Sequence, residues 1–134
     1  MSLALIIAVS AAIQPPDYDA FQTSEAESSH VTSAEYRRCT NASVSNGDAV
    51  QCMSDEWDNL DRLLNAYYRA AMVKMPNRQA RERLKKVQRE WLHERDETCT
   101  VESVGGHTAY DIALHQCEID ELIRRVVWLK RLSR

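Results

Sequence analysis

The stretch Leu84–Cys99, LKKVQREWLHERDETC, constrains the fold more than any other part of the chain. Leu84, Val87, Trp91 and Leu92 fall at helical spacing, and the run ends on a cysteine. The stripe is not purely apolar, because Gln88, Arg95 and Asp96 lie on or beside it. Burying an unpaired polar group costs ~1–3 kcal/mol and a charge costs more, so such a helix needs a neighbour with complementary groups. Leu60–Tyr68 supplies one. Arg95 is expected to pair with Asp61 and Asn65 with Gln88. Asp61, Asn65, Gln88, Arg95 and Asp96 then form a structural polar layer between two helices rather than a partner-binding patch.

The upstream helix has its own stripe at Met53, Trp57, Leu60, Leu64, Tyr67 and Ala71, with Asp48 as its expected N-cap. Asp55, Glu56 and Asp58 lie near its positive end. Pro76-Asn77 stops it, and Asn77 can cap the helix that follows. A third helix is expected from Ala109 to Leu132, with Tyr110, Ala113, Leu114, Leu122, Val126 and Leu129 on its apolar face. Trp57, Tyr68 and Trp91 read as core, and Trp128, beside a basic cluster, as more exposed. Helix formers dominate, and only three glycines and three prolines occur. The expected fold class is all-α, a small three-helix up-down-up bundle stapled by two disulfides.

The cysteines are Cys39, Cys52, Cys99 and Cys117, an even number with none of the close pairs of a zinc site. Helix alternation puts Cys52, Cys99 and Cys117 at one end of the bundle. All three connectivities are open; Cys39–Cys52 with Cys99–Cys117 is favoured, since the second bridge staples a helical hairpin. Residues 1–13 read as a signal peptide and 14–38 as a disordered acidic, Ser-rich linker, which leaves 39–134 as the helical domain. No stable membrane insertion is expected once the signal is cleaved.

The formal net charge is −3. Five acids and two bases precede Cys39, and fifteen of each sign follow from there, so the acidity is assigned to the tail and any electrostatic steering is expected to be modest. A balanced domain argues against nucleic acid as a partner. His93, His107 and His115 form no i, i+4 metal pair, and there is no nucleophile–base pair. No catalytic residue, metal or cofactor is expected, and the protein is read as a non-enzyme.

Two patterns carry a family resemblance. Asp61, Leu64, Asn65 and Tyr68 fit D-x-x-L-N-x-x-Y. Leu84, Gln88, Arg89, Trp91, Arg95, Asp96 and Cys99 fit L-x-x-x-Q-R-x-W-x-x-x-R-D-x-x-C. Gly105-Gly106, Cys117, then Arg124 or Arg125 and Leu129 follow in order. From Cys39 to Leu132 the chain resembles the lysozyme inhibitor LprI-like N-terminal domain family of exported bacterial proteins. The resemblance implies a disulfide-bonded helical domain, periplasmic or secreted, that binds and inhibits lysozyme. The alternative is a non-inhibitory helical module of the envelope. The loop 100–108 is the candidate contact, with Ser103, Gly105, Gly106, His107 and Thr108 as partner-binding residues. A lysozyme cleft holds two carboxylates, which His107 or Ser103 can meet as donors.

Overall fold

The computed structural model describes residues 22–100 and 110–134. They form α1 (Glu25–Val31), α2 (Ala34–Ala42), α3 (Asn46–Lys74), α4 (Arg78–Thr98) and α5 (Tyr110–Leu132), with no strand among the described residues. The all-α expectation holds, and the three expected helices become five. Two short helices precede the long ones, in the segment read as a disordered linker. Helices this short are marginal alone, which is why their polar composition reads as disorder. Caps and docking stabilise them. Ser24 and Glu27 form a reciprocal capping box on α1, and the Ser33 side chain caps α2. Val31 is buried against the core. The signal peptide expected at 1–13 lies outside the described residues.

The apolar stripe of α3 is where its spacing puts it. Met53, Leu60, Leu64 and Ala71 are buried, and Trp57, Tyr67 and Tyr68 are partly buried against the core. Its N-cap is Ser45 rather than Asp48. Ser45 Oγ accepts from the Asp48 amide at 3.1 Å, and the Asp48 carboxylate accepts from the Val44 amide at 3.2 Å. Asn77 caps α4 as expected, its Oδ1 accepting from the Ala80 amide at 2.8 Å. Leu92 is 39% exposed and leaves the stripe, while Leu84, Gln88 and Trp91 stay in it.

α3 and α5 make the closest helix pair. They run parallel: Trp57 shares a cleft with Glu118, and further along Tyr67 lies 5.9 Å from Lys130 Nζ. α4 runs the opposite way, since Gln88 meets Arg125 and Cys99 meets Cys117. α1 covers the remaining side of α5, tied to it by Glu27 and Arg131. This cover explains the last two turns of α5, where Arg125, Val126, Val127, Trp128 and Leu129 are all buried. A helix packed between several neighbours buries a wider face than a surface helix does. Trp128 is therefore core, 1% exposed, and the expectation of an exposed Trp128 is corrected.

Both favoured disulfides are formed, Cys39–Cys52 and Cys99–Cys117, each with a Cα–Cα distance of 5.7 Å. The first ties α2 to α3; the second ties the end of α4 to α5.

Candidate functional site at the disulfide end

The candidate contact residues Ser103, Gly105, Gly106, His107 and Thr108 lie outside the described residues. Their base is described. Cys99 closes α4, its amide donating to the Arg95 carbonyl at 3.2 Å, and Cys117 lies in the first half of α5. The bridge between them holds the two ends of the intervening segment 5.7 Å apart. Beside it opens a cleft of about 230 Å³ lined by Trp57, Arg95, Asp96, Cys99 and Glu118.

The polar layer is built differently from the sequence expectation. Arg95 does not reach Asp61; its guanidinium lies 3.3 Å from its neighbour Asp96 and 5.5 Å from the Trp91 ring centre. Asn65 does not meet Gln88. It is exposed and donates along its own helix to the Asp61 carbonyl at 3.0 Å. Local bonds one turn apart satisfy both α3 residues without α4. Gln88 is buried, and its partner is Arg125, whose Nε donates to Gln88 Oε1 at 2.9 Å and whose Nη2 donates to the Val87 carbonyl at 3.2 Å. Arg125 is fully buried, its guanidinium carbon 4.1 Å from the Trp128 ring centre and 5.2 Å from that of Trp91. Two aromatic faces and two carbonyl acceptors make that burial tolerable. The family pattern offered Arg124 or Arg125 at this point; Arg125 is the buried one.

Sequence reasoning also missed Glu56. It is 2% exposed, and its carboxylate accepts from the Ser33 amide at 2.9 Å and the Ser33 hydroxyl at 2.6 Å. A buried carboxylate from α3 thus holds the N-cap of α2, in keeping with the preference of helix N-termini for negative charge. Its position in the first turns of α3 reads equally well as a solvated helix face, so sequence alone gave no signal. Tyr36, partly buried nearby, has its phenol pushed above its ordinary value by burial and by the charges of Glu56 and Asp120.

The acids are not confined to the tail. Asn46–Leu60 of α3 carries Asp48, Asp55, Glu56 and Asp58 and no base. The last turns of α4 carry Glu94, Asp96 and Glu97, and Ile112–Glu121 of α5 carries Glu118, Asp120 and Glu121 with no Lys or Arg. The topology collects these segments at the disulfide end. Asp58, Glu94, Glu97 and Glu121 have no ion-pair partner among the described residues. Equal totals therefore conceal unequal placement: acids outnumber bases at this end, where Arg95 of α4 and Arg37 and Arg38 of α2 also lie.

The described residues, five helices with the first two docked and two bridges at one acid-rich end, define a small disulfide-braced α-helical protein. The family model described as lysozyme inhibitor LprI matches residues 24–129, and the chain belongs to that family. The match includes α1 and α2, which the structure packs against α5 and α3. No curated protein and no solved structure matches the chain.

Proposed function

We propose that the protein is an exported, non-catalytic inhibitor that binds lysozyme through its disulfide end and blocks the cleft. Membership of the lysozyme inhibitor family supports the partner. The observation that supports the location is the Cys99–Cys117 bridge, which fastens the residue preceding the 100–108 loop to α5 beside an acid-rich surface. Many animal lysozymes are basic, and an acidic surface steers a basic partner to dock in one orientation. Donors on the loop, His107 or Ser103, then hydrogen-bond to a catalytic carboxylate of the cleft. Two disulfides favour an oxidising compartment, periplasmic or secreted. Among the described residues no helix is long and apolar enough to cross a membrane.

The test is lysis of a peptidoglycan suspension by c-type lysozyme in the presence of the oxidised full chain. Saturable, dose-dependent inhibition that weakens in His107→Ala or Ser103→Ala supports the proposal. Inhibition untouched by both substitutions removes the loop from it. No inhibition of any lysozyme class by folded protein favours the non-inhibitory envelope module.

A further inference from the structure

The end of the bundle opposite the disulfides has the reverse charge. Asp61–Lys74 of α3 carries Arg62, Arg69 and Lys74 against one acid; Arg78–Gln88 of α4 carries five bases against Glu82 alone; Leu122–Leu132 of α5 carries four bases and no acid, of which Arg125 is buried and Arg131 is paired with Glu27 of α1. The antiparallel course of α4 brings its start to the ends of α3 and α5.

Stability of the single helices does not account for this sorting. Basic residues at the ends of α3 and α5 suit those helix dipoles, but in α4 the order is inverted. Its first turn has no acid, and Arg78 and Arg81 stand at its positive end while Glu94 and Glu97 stand near its negative end. Apart from Arg95 in the last turn, the charges at the two termini of α4 follow the ends of the molecule and oppose its own dipole. Part of this charge is paired, Lys85 with Glu82, Lys86 with Glu90 and Arg131 with Glu27, and the charge of Arg78 also acts on Glu82. Arg69, Lys74, Arg78 and Arg81 are exposed and have no hydrogen-bond or ion-pair partner among the described residues. At the same corner, one turn after Arg69 on α3, Val73 is 85% exposed.

We propose that the α3–α4 corner docks on an anionic phospholipid surface. Exposed cations around an exposed apolar side chain match the interface of such a bilayer, with the guanidinium groups at phosphate level and Val73 toward the acyl boundary. The corner has no exposed aromatic side chain on which nucleic-acid bases would stack. Contact is peripheral, and it turns the acidic disulfide end away from the membrane.

The experiment is sedimentation of the full chain with vesicles of phosphatidylcholine, with and without about one-third phosphatidylglycerol. Residues 1–21 are common to all variants, so the readout is the difference between wild type and each variant on the same vesicles. Wild type is expected to prefer the anionic vesicles and to be released by salt. The triple variant Arg69→Gln, Arg78→Gln, Arg81→Gln should bind them roughly 100-fold more weakly, about five-fold per charge removed. Its melting temperature should hold or rise, because the side chains are exposed and two of them oppose the α4 dipole. Val73→Ser, at an exposed position, is the second probe and should weaken binding less. Equal binding by wild type and both variants overturns the proposal, as does equal binding to neutral and anionic vesicles. Tighter, salt-sensitive binding to double-stranded DNA than to the vesicles, unaffected by Val73→Ser, overturns the choice of a bilayer.

Discussion

The two ends of the bundle are built from the same three long helices and differ in almost every other respect. The disulfide end is covalently braced and acidic, with α2 fastened to it through Cys39–Cys52 and the Glu56–Ser33 hydrogen bonds. The opposite end has no bridge and is basic, and α1 is held there by the Glu27–Arg131 pair, with separations of 2.6 and 2.7 Å. Between them Arg125 joins α4 to α5 through Gln88. The comparison teaches that charge in this protein is distributed by tertiary position. Helix dipoles alone would have put acids at the start of α4 and bases at its end.

The largest effect is expected at the junction. Arg125→Ala removes a buried cation and leaves Gln88 without its partner, at a cost of ~3–5 kcal/mol in denaturant unfolding. Arg95→Ala, at the rim of the acidic end, should cost no more than about 1 kcal/mol, since Arg95 is only partly buried and its ion pair is with an exposed neighbour. Equal losses from the two would break the distinction between core and rim. Replacing Cys99 and Cys117 by Ser together should cost ~2–4 kcal/mol and also weaken inhibition, because the loop loses its fixed base. Glu56→Ala leaves the Ser33 amide and hydroxyl without their acceptor and should cost about 1–3 kcal/mol, with faster proteolysis within α1 and α2.

The smallest effect concerns the basic end. The Arg131 guanidinium and the Ser24 amide hold the Glu27 carboxyl at about 2, against an ordinary 4.5. A lowered carboxylate stabilises the fold fully above its unfolded value and loses that contribution as pH falls through the folded one. The docking of α1 should therefore be constant above about pH 4.5 and weaken toward pH 2. Hydrogen exchange of α1 amides follows this, and Arg131→Gln should move the loss up toward pH 4.5.

What was legible in the sequence was what depends on near neighbours. The α3 stripe from Met53 to Ala71, the Asn77 cap and the favoured disulfide pairing each follow from spacing along one or two helices. What was not legible depends on partners far along the chain. Glu27 and Arg131 are separated by 104 residues, and Val31 is the one buried residue of α1, so no apolar periodicity announces that helix. Arg125 reads locally as a surface cation near a helix C-terminus; only the packing of Trp91, Trp128 and Gln88 around it makes it core. The polar layer does include α4, but its partner there is Arg125 of α5 rather than a residue of α3. The sorting of charge was hidden because opposite segments of each long helix cancel in any total.

The most direct test of the central claim compares lysozyme inhibition by two charge variants of the oxidised full chain. One neutralises the disulfide end, with Asp58→Asn, Glu94→Gln, Glu97→Gln and Glu121→Gln. The other neutralises the basic end, with Arg69→Gln, Arg78→Gln and Arg81→Gln. The account predicts weaker, less salt-sensitive inhibition of a basic lysozyme by the first variant and inhibition like that of wild type by the second. Equal inhibition by wild type and the first variant, or a loss confined to the second, would contradict it.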